Sequence, residues 1–531
     1  MSLRKKLSSI NFTPLIIFFF ALLFNQFFGN RGIFSIDSFS HFDTGYRVLN
    51  GDLPFRDYWV VSGPLIDFLQ AFLFLIFDVN WQTYLLNASI LNGGFAVLTY
   101  KLFLDFKLEK KFSFFYTICL AALAYPVSGT PFVDLHSTYF SIISIYLLIF
   151  AIKTEKLIYW FFLPIFLSFA FMCKQVPATY ICFSIALLII YNFILNSKIN
   201  NFKIFLTLTI STSIVFILLI IFLSFNEINI QNFINQYISY PKEIGQNRYL
   251  KLNYDFKNVI MDFKFIHLVF ILLLIINIIK LFKYKKYYKK INFKLFLISF
   301  LLLASLVQHQ ILTKNQIFIF FLIPLFSAFV HIELFDMGNT YKKYLTYFLV
   351  SICLFTTLKY HLRFNLERKF HELNNVNFFN SIKATTLDKK FKGLNWITPE
   401  KNEKKEIAEE IKSLKEILNI LKEDKQKKML ITNYSFFSVL LDETVNSPTR
   451  WYPGDDSAFP KKESKFYNIY RNFLLKKIQD KKIANIYIIS DVSEKNLLDY
   501  LPPECLNKKI IHEHLFKFEI DRKCSDLYGK Q

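Results

Sequence analysis

Long apolar segments alternate with short polar ones over the first two thirds of the chain. Runs such as 13–29 and 203–225 nearly lack charged residues over the roughly 20 residues that a helix needs to cross a bilayer. Twelve such segments are predicted to form helices: 13–30, 63–78, 83–104, 112–130, 135–152, 157–173, 176–195, 203–225, 262–282, 294–312, 315–334 and 343–360. The pattern predicts a polytopic α-helical membrane domain over residues 1–360.

The positions of lysine decide how many of these segments cross the membrane. If all twelve crossed it from a cytoplasmic N-terminus, the basic loops 105–111 and 283–290 would lie outside, against the preference of Lys and Arg for cytoplasmic loops. Segment 63–78 is short, begins with Gly-Pro and carries Asp67 in its first turn. If this segment lies along the membrane surface, every later segment inverts and these basic loops become cytoplasmic. We therefore expect eleven spans, juxtamembrane helices within a first outer loop at 31–82, and an extracytoplasmic C-terminus.

The N-terminal sequence MSLRKK precedes an apolar run, as in a secretory signal peptide. Phe27, Phe28 and Asn30 stand where small residues would be needed for cleavage. We therefore expect an uncleaved first span with a cytoplasmic N-terminus, in a multi-pass membrane protein.

After residue 360 the long apolar runs stop and Lys, Glu and Asn dominate. Residues 403–424 have apolar positions at helical spacing and predict an amphipathic helix, whereas 427–434 and 482–490 predict strands. Residues 361–531 are therefore expected to form a soluble α/β domain. The outer segment 226–261 has an amphipathic pattern and is expected to rest on the membrane surface.

Composition supports a membrane protein and narrows its partners. Hydrophobic residues make up 53% of the chain, and 63 Lys and Arg against 41 Asp and Glu give a net charge of +22. The Lys clusters fall in short loops between the predicted spans, where they act as topology signals and meet anionic headgroups. We therefore expect membrane lipids, and no nucleic acid, as partners. Cys505 and Cys524 can form a disulfide if the C-terminal region faces an oxidising compartment.

Acidic residues concentrate in the first outer loop. The run 36–50 is predicted to be a helix with Asp37 near its N-terminus, His41 one turn later on the same face, and Gly51 as its terminator. A carboxylate at the membrane interface can act as a base or bind a cation. The alternative is a solvated loop with helix caps and surface ion pairs.

A second set of polar residues falls at other outer turns. Asp134 precedes the segment that begins at 135, so it either caps that helix or joins Asp37 on the outer face. Lys174, His309 and Lys314 lie at two further outer turns. Because the outer side disfavours Lys, these side chains either bind anionic groups such as phosphate or extend to the interface without a specific ligand.

Other chemistries find little support in the sequence. The chain has no Walker A sequence, no G-x-S-x-G, no H-E-x-x-H and no pair of C-x-x-C motifs. Few ionisable residues fall within the predicted spans, which argues against a proton- or ion-coupled pore.

The first outer loop resembles that of bacterial GT-C glycosyltransferases, the relatives of protein O-mannosyltransferases and of lipid A aminoarabinose transferases. In both, a span is followed by an acidic residue, a helix ending in Gly, the motif P-[FY]-R-D, and G-P-L or P-P-L opening an apolar helix. The matching residues are Asp37, His41, Gly51, Pro54, Phe55, Arg56, Asp57, Gly63, Pro64 and Leu65. The segment 314–325 is similar to a late span of these enzymes, and Asp134 stands where their second outer loop carries an acidic residue. Ser38 departs from the pattern, because many relatives carry Glu there.

The resemblance implies inverting transfer of a sugar from a polyprenyl-phosphate donor to a lipid, glycan or protein acceptor on the outer face. Asp37 would accept the proton of the acceptor hydroxyl or orient that hydroxyl, and Asp134 would position the acceptor or a divalent metal. The alternative is a site that works without a metal. Residues expected to contact the substrate or the lipid phosphate are His41, Arg56, Asp57, Lys174, His309 and Lys314. A lipid-linked glycan flippase and a polysaccharide polymerase or ligase remain as alternatives. In the C-terminal region, Asn433, Arg450 and Trp451 either contact a sugar or belong to a folded surface loop.

Overall fold

The computed structural model describes residues 12–195, 200–313, 319–334, 339–368, 373 and 376–521. The chain is mostly helical and divides into two compact units. Unit 1 comprises Met1–Gly29, Ala88–Leu218 and Leu252–Phe370, and unit 2 comprises Asn30–Asn87, Leu219–Lys251 and His371–Gln531. This division differs from the predicted boundary at residue 360, because residues 30–87, which contain the predicted first outer loop, belong to the same unit as residues 371–531.

Helices form at all twelve predicted apolar segments. The longer ones are Thr13–Gly29, Pro64–Phe77, Trp81–Asp105, Lys110–Leu123, Val133–Thr154, Leu157–Cys173, Gln175–Leu195, Asn200–Phe225, Lys264–Lys283, Ile291–Thr313, Leu322–Glu333 and Asn339–His361. Single turns of helix lie at Tyr125–Val127, Lys257–Met261, Tyr287–Lys289 and Leu362–Leu366.

Six helices in the described part of the chain are long and apolar enough to cross a membrane. They are Val133–Thr154, Gln175–Leu195, Asn201–Phe225, Lys264–Lys283, Ile291–Thr313 and Tyr341–Leu366. Four shorter apolar helices, of 10–17 residues, lie at Thr13–Gly29, Pro64–Phe77, Leu157–Cys173 and Leu322–Glu333. The eleven-span topology stays a prediction.

Unit 1 is a helical bundle with an aromatic and aliphatic interior. Phe95 stacks on Tyr139 with ring centroids 4.7 Å apart, and both rings are fully buried. One buried ion pair lies inside the bundle, as expected for charges away from water: Lys280 Nζ lies 2.6 Å from Glu333 Oε2, and the Tyr287 hydroxyl donates to the same oxygen at 2.9 Å. The outer surfaces of the helices remain apolar, which is typical of contact with lipid.

Unit 2 combines short helices with two small sheets. Its helices are Ser35–Ser38, Ser40–Leu49, Pro64–Phe77, Ile230–Phe233, Ile234–Ser239, Tyr240–Tyr249, Phe378–Asn380, Ala384–Thr386, Lys389–Phe391, Lys404–Glu423, Phe437–Leu441, Tyr467–Asp480, Lys495–Leu498 and Pro503–Cys505. Its strands are β1 (Ile382–Lys383), β2 (Asn395–Trp396), β3 (Lys428–Ile431), β4 (Asn485–Ile489), β5 (Leu506–His512) and β6 (Leu515–Ile520).

The larger sheet has the strand order β3-β4-β6-β5, with β3 and β4 parallel and the other pairs antiparallel; β1 and β2 form a separate antiparallel pair. The predicted helix at 403–424 and the predicted strands at 427–434 and 482–490 are confirmed as Lys404–Glu423, β3 and β4.

Alternation along β3 and β4 builds a core on each face of this sheet. Side chains of successive strand residues point to opposite faces, so Leu430 and Tyr487 enter one core, whereas Met429 and Ile486 enter the other. Both faces are therefore covered, and all residues of the two strands are buried.

The first outer loop supplies part of the cover on both faces. Phe39 packs against Trp396 and Phe436 on one side, with ring centroids 5.9 and 5.0 Å away. Trp59 packs against Tyr470 on the other, at 5.3 Å, and its backbone N–H donates to the Pro448 carbonyl at 2.8 Å. These aromatic contacts are why residues 30–87 fold with the C-terminal region.

Local geometry within the loop differs from the prediction at one point. The predicted helix at 36–50 consists of two helices, Ser35–Ser38 and Ser40–Leu49, with Phe39 between them at ψ −8°. Gly51 ends the second helix with φ +90°, a conformation that favours glycine.

In the C-terminal region Cys505 is disulfide-bonded, and Cys524 lies outside the described residues.

Candidate functional site

Asp37 lies in the short helix Ser35–Ser38 of unit 2. Its backbone N–H donates to the Phe34 carbonyl at 3.1 Å, and the neighbouring Ser38 hydroxyl accepts from the Phe34 N–H at 3.0 Å. These bonds fix the first turn of the helix, and Asp37 itself is partly buried. The predicted base is therefore held on an ordered turn at the start of the loop.

Asp67, near the start of the helix Pro64–Phe77, is a carboxylate of the loop that accepts from four different side chains. His41 Nδ1 and Thr44 Oγ1 donate to its Oδ1 at 2.7 and 2.5 Å. The Tyr58 hydroxyl and Arg450 Nη2 donate to its Oδ2 at 2.9 and 2.5 Å. With two donors on each oxygen and no exposed surface, Asp67 holds the loop together and is not accessible as a base.

Arg450 connects the C-terminal region to this cluster. Its Nη1 donates to the Ser62 carbonyl at 2.6 Å while Nη2 reaches Asp67, and the side chain is buried. Asn433 is buried as well, and its side-chain amide pairs with the backbone of Tyr452. Of the predicted alternatives for this region, Arg450 and Asn433 therefore belong to the folded loop, whereas Trp451 stays partly exposed.

His41 has a different environment from the one expected of a phosphate ligand. The ring is 2% exposed and donates to Asp67, which fixes the proton on Nδ1. Burial, together with the charge of Arg450, outweighs the attraction of Asp67 and lowers the pKa of His41 to about 4. A neutral, buried imidazole stabilises the loop but supplies no positive charge to a lipid phosphate.

Arg56 and Asp57 form a pair at the turn of the loop. Arg56 Nε donates to Asp57 Oδ2 at 2.8 Å, and its guanidinium also reaches the Gly51 carbonyl at 2.8 Å. Asp57 in addition accepts from the Leu53 N–H at 2.8 Å and lies 3.2 Å from Lys481 Nζ. Asp57 is therefore occupied by the fold, whereas Arg56 keeps about a third of its side chain exposed and can contact a ligand.

Unit 1 brings three of the predicted site residues together. Lys174 Nζ lies 2.8 Å from both carboxylate oxygens of Asp134, and His309 Nε2 donates to Asp134 Oδ1 at 2.6 Å. Asp134 and His309 are buried, whereas Lys174 retains 20% exposure. Asp134 lies in the helix Val133–Thr154, and His309 lies in the helix Ile291–Thr313. Lys174 directly follows the helix Leu157–Cys173. Lys314 lies outside the described residues.

In this cluster Lys174 is the accessible group, and the Asp134 carboxylate balances its charge. Two of the three ammonium N–H donors of Lys174 can be used by Asp134, which leaves one for a ligand. The Ser137 hydroxyl donates to the Lys174 carbonyl at 3.0 Å, so the backbone of the turn is fixed as well.

A divalent metal at Asp134 does not fit these contacts. The Lys174 ammonium lies 2.8 Å from both oxygens of Asp134, and His309 also donates to Oδ1, so the positive charge of the ammonium would repel a cation bound at this carboxylate. Among the residues that the structure describes, no group of three or more His, Cys, Asp or Glu is arranged to hold a metal ion.

Sequence reasoning missed the central position of Asp67. One feature of the sequence could have indicated this role: Asp67 is an acidic residue in the first turn of an otherwise apolar helix. A carboxylate that is buried in such a position needs several hydrogen-bond donors. Those donors come from His41, Thr44, Tyr58 and Arg450, and the last lies too far along the chain to be paired from the sequence.

A scan against models of known protein families gives no match for this chain, and a search of curated proteins finds no significant relative.

Proposed function

We propose that the chain is a glycosyltransferase that moves a sugar from a polyprenyl-phosphate donor to a lipid, glycan or protein acceptor on the outer face of the bacterial inner membrane. The observation that carries the proposal is the ordered first loop. In this loop Asp67 accepts four hydrogen bonds, and Phe39 and Trp59 are buried in hydrophobic cores. A loop that was simply solvated would have neither feature. An acidic loop that is built in this way is suited to hold one carboxylate, Asp37, in a defined place.

Asp37 is the proposed base. The acceptor hydroxyl attacks the anomeric carbon of the sugar while the bond from that carbon to the phosphate oxygen breaks. The hydroxyl proton passes to the Asp37 carboxylate, and the electron pair of the broken bond stays on the lipid phosphate. Direct displacement of this kind inverts the configuration at the anomeric carbon. A positioned base contributes about 10²–10⁴-fold to such a rate.

Lys174 is the proposed phosphate ligand in unit 1. Its remaining N–H can donate to a phosphate oxygen, and a charge-assisted bond strengthens as negative charge builds up on the leaving group. Asp134 and His309 then act as positioning residues, since they hold the ammonium group through the contacts at 2.8 and 2.6 Å. In unit 2, Arg56 is an alternative phosphate ligand through its exposed portion.

The test measures sugar transfer and protein integrity together. Purified full-length protein in lipid nanodiscs is supplied with a radiolabelled polyprenyl-phosphate sugar and a membrane extract as the source of acceptor. Asp37→Asn is expected to lower transfer by about 10²–10⁴-fold with unchanged expression and thermal stability. The matched control is Asp78→Asn, which makes the same isosteric change at an exposed carboxylate of the same unit. Equal transfer by both variants and the unmodified protein would exclude the role given to Asp37.

A further inference from the structure

The carboxyl ends of β3 and β4 bring polar side chains to one edge of the sheet. Because the two strands are parallel, the residues that follow them lie at the same edge, the place where ligands bind in open α/β sheets. Thr432 and Asn433 follow β3, whereas Ser490 and Asp491 follow β4. The start of β6 is antiparallel to the end of β4, so His514 reaches this edge too, and its carbonyl accepts from the Ser490 N–H at 3.0 Å.

Asp491 is fixed in place and remains accessible. Its Oδ1 accepts from the Thr432 hydroxyl at 2.9 Å, and its Oδ2 accepts from the Asn433 N–H at 2.7 Å. Each oxygen keeps lone-pair capacity for a further donor. The residue is exposed to solvent, yet the surrounding protein raises the pKa of its carboxyl to about 7. The two hydrogen bonds hold the carboxylate at this edge, where it is accessible to a ligand.

Ser490 and His514 line the edge beside Asp491. The Ser490 hydroxyl lies 3.1 Å from His514 Nδ1, and both residues are exposed. Neither side chain contributes to a hydrophobic core, so their mutual contact is not explained by packing. Together the two residues offer a hydroxyl and an imidazole next to a carboxylate.

Aromatic residues adjoin the same edge. The Tyr434 N–H donates at 3.0 Å to the Thr432 hydroxyl that binds Asp491, and the Tyr434 ring stacks on Trp396. Asn433 Oδ1 accepts from the Tyr452 N–H at 2.8 Å, which holds the preceding residue, Trp451, nearby. Tyr434 and Trp451 are both partly exposed.

We propose that this edge, formed by Asp491, Ser490 and His514 with Tyr434 and Trp451 beside them, is a carbohydrate-binding site. Carboxylate, hydroxyl and imidazole groups exchange hydrogen bonds with sugar hydroxyls, and aromatic rings accept the apolar face of a sugar ring. The set contains no Lys or Arg, which disfavours a phosphate or another anion as the ligand. Binding here does not depend on the proposed transfer reaction, and it would let unit 2 hold a glycan that the chain does not modify.

The experiment measures sugar binding directly, without transfer activity. Saturation-transfer NMR on the purified full-length protein uses free glucose, galactose, mannose and N-acetylglucosamine as probes, and inorganic phosphate as a competitor. We expect at least one sugar to give a signal that phosphate does not displace. Asp491→Asn and His514→Ala should each weaken it by at least about tenfold, the cost of one hydrogen bond to a charged or strongly polar group.

Glu513→Ala is the matched control, since Glu513 is exposed on the same hairpin and is not part of the set; its signal should equal that of the unmodified protein. His514 is exposed, so His514→Ala keeps the test valid if the Asp491 variant fails to fold. The proposal is overturned if none of the four sugars binds, if phosphate displaces the sugar, or if His514→Ala binds as well as Glu513→Ala.

Discussion

Arg450 Nη2 donates to Asp67 Oδ2 at 2.5 Å, although the two residues lie 383 positions apart in the sequence. Both side chains are buried within unit 2. This pair ties the loop after β3 to the first outer loop, and the fold of each segment therefore depends on the other.

Loss of this pair should destabilise unit 2. Arg450→Gln leaves Asp67 buried without its cationic partner, which costs about 3–5 kcal/mol in comparable buried pairs. Thermal unfolding in detergent, followed by tryptophan fluorescence, should show a clear decrease in the midpoint. The unfolding midpoint of Arg450→Lys should lie between those of Arg450→Gln and the unmodified protein. The Lys ammonium keeps the positive charge, but it cannot reproduce the two guanidinium contacts to Asp67 and Ser62. Lys405→Ala, in an exposed pair with Glu409, should cause no measurable change; an equal decrease in that control would refute the prediction.

The buried imidazole of His41 should make the protein acid-sensitive. The pKa of His41 is lowered from 6.5 to about 4 in the folded state, so between these values the unfolded chain binds a proton that the folded chain does not. Stability should therefore fall as the pH decreases from about 6.5 to about 4. His41→Gln keeps a donor for Asp67 but does not titrate, so its unfolding midpoint should change less between pH 7 and pH 4.5. Identical pH profiles for the two proteins would contradict this assignment.

Lys174 should affect the lipid donor more than the acceptor. Lys174→Gln removes a charge-assisted bond to phosphate, which is worth roughly 10- to 100-fold in kcat/KM for the donor, and Lys174→Arg should restore part of it. Lys156→Gln serves as the control, because Lys156 is exposed before the other end of the same helix. A selective effect on the acceptor KM would argue against a phosphate ligand.

The eleven-span topology predicts opposite sides for two exposed positions. Lys285 lies in the basic loop that we expect in the cytoplasm, and Ser493 follows β4 in the region that we expect outside. In a variant without native cysteines, Ser493→Cys should react with a membrane-impermeant maleimide in intact cells, whereas Lys285→Cys should react only after the membrane is permeabilised. Labelling of both positions from one side would require a different number of spans.

Neighbouring residues were enough to predict most helices. Apolar runs and helical spacing are local properties, and so the twelve apolar segments, the helix Lys404–Glu423 and the strands β3 and β4 were found where expected. The hairpin β5–β6 was not predicted. Its first strand, LNKKIIH, lies at the edge of the sheet and is largely exposed, so it has no clear apolar alternation.

Part of the candidate site could also be predicted from the sequence. Asp134, Lys174 and His309 were each expected at outer turns because of their charge and position, and the structure joins them through contacts of 2.6–2.8 Å. Their mutual pairing was not predicted, because nothing in the local sequence indicates which turns meet. The same limit applied to His41, which was expected to contact the substrate or the lipid phosphate and is found to donate to Asp67.

The sequence by itself determined where helices form, that the chain is rich in segments able to cross a membrane, and which polar residues stand out against that apolar background. Only the tertiary structure decided that the first outer loop folds with the C-terminal region, that Asp67 is held by four donors, and that Asp134 is occupied by Lys174 and His309. The physical reason is that the two kinds of information act over different distances along the chain. Hydrophobic periodicity is a property of a few neighbouring residues, whereas a buried charge forms hydrogen bonds with donors that the packed chain brings to it from any position in the sequence.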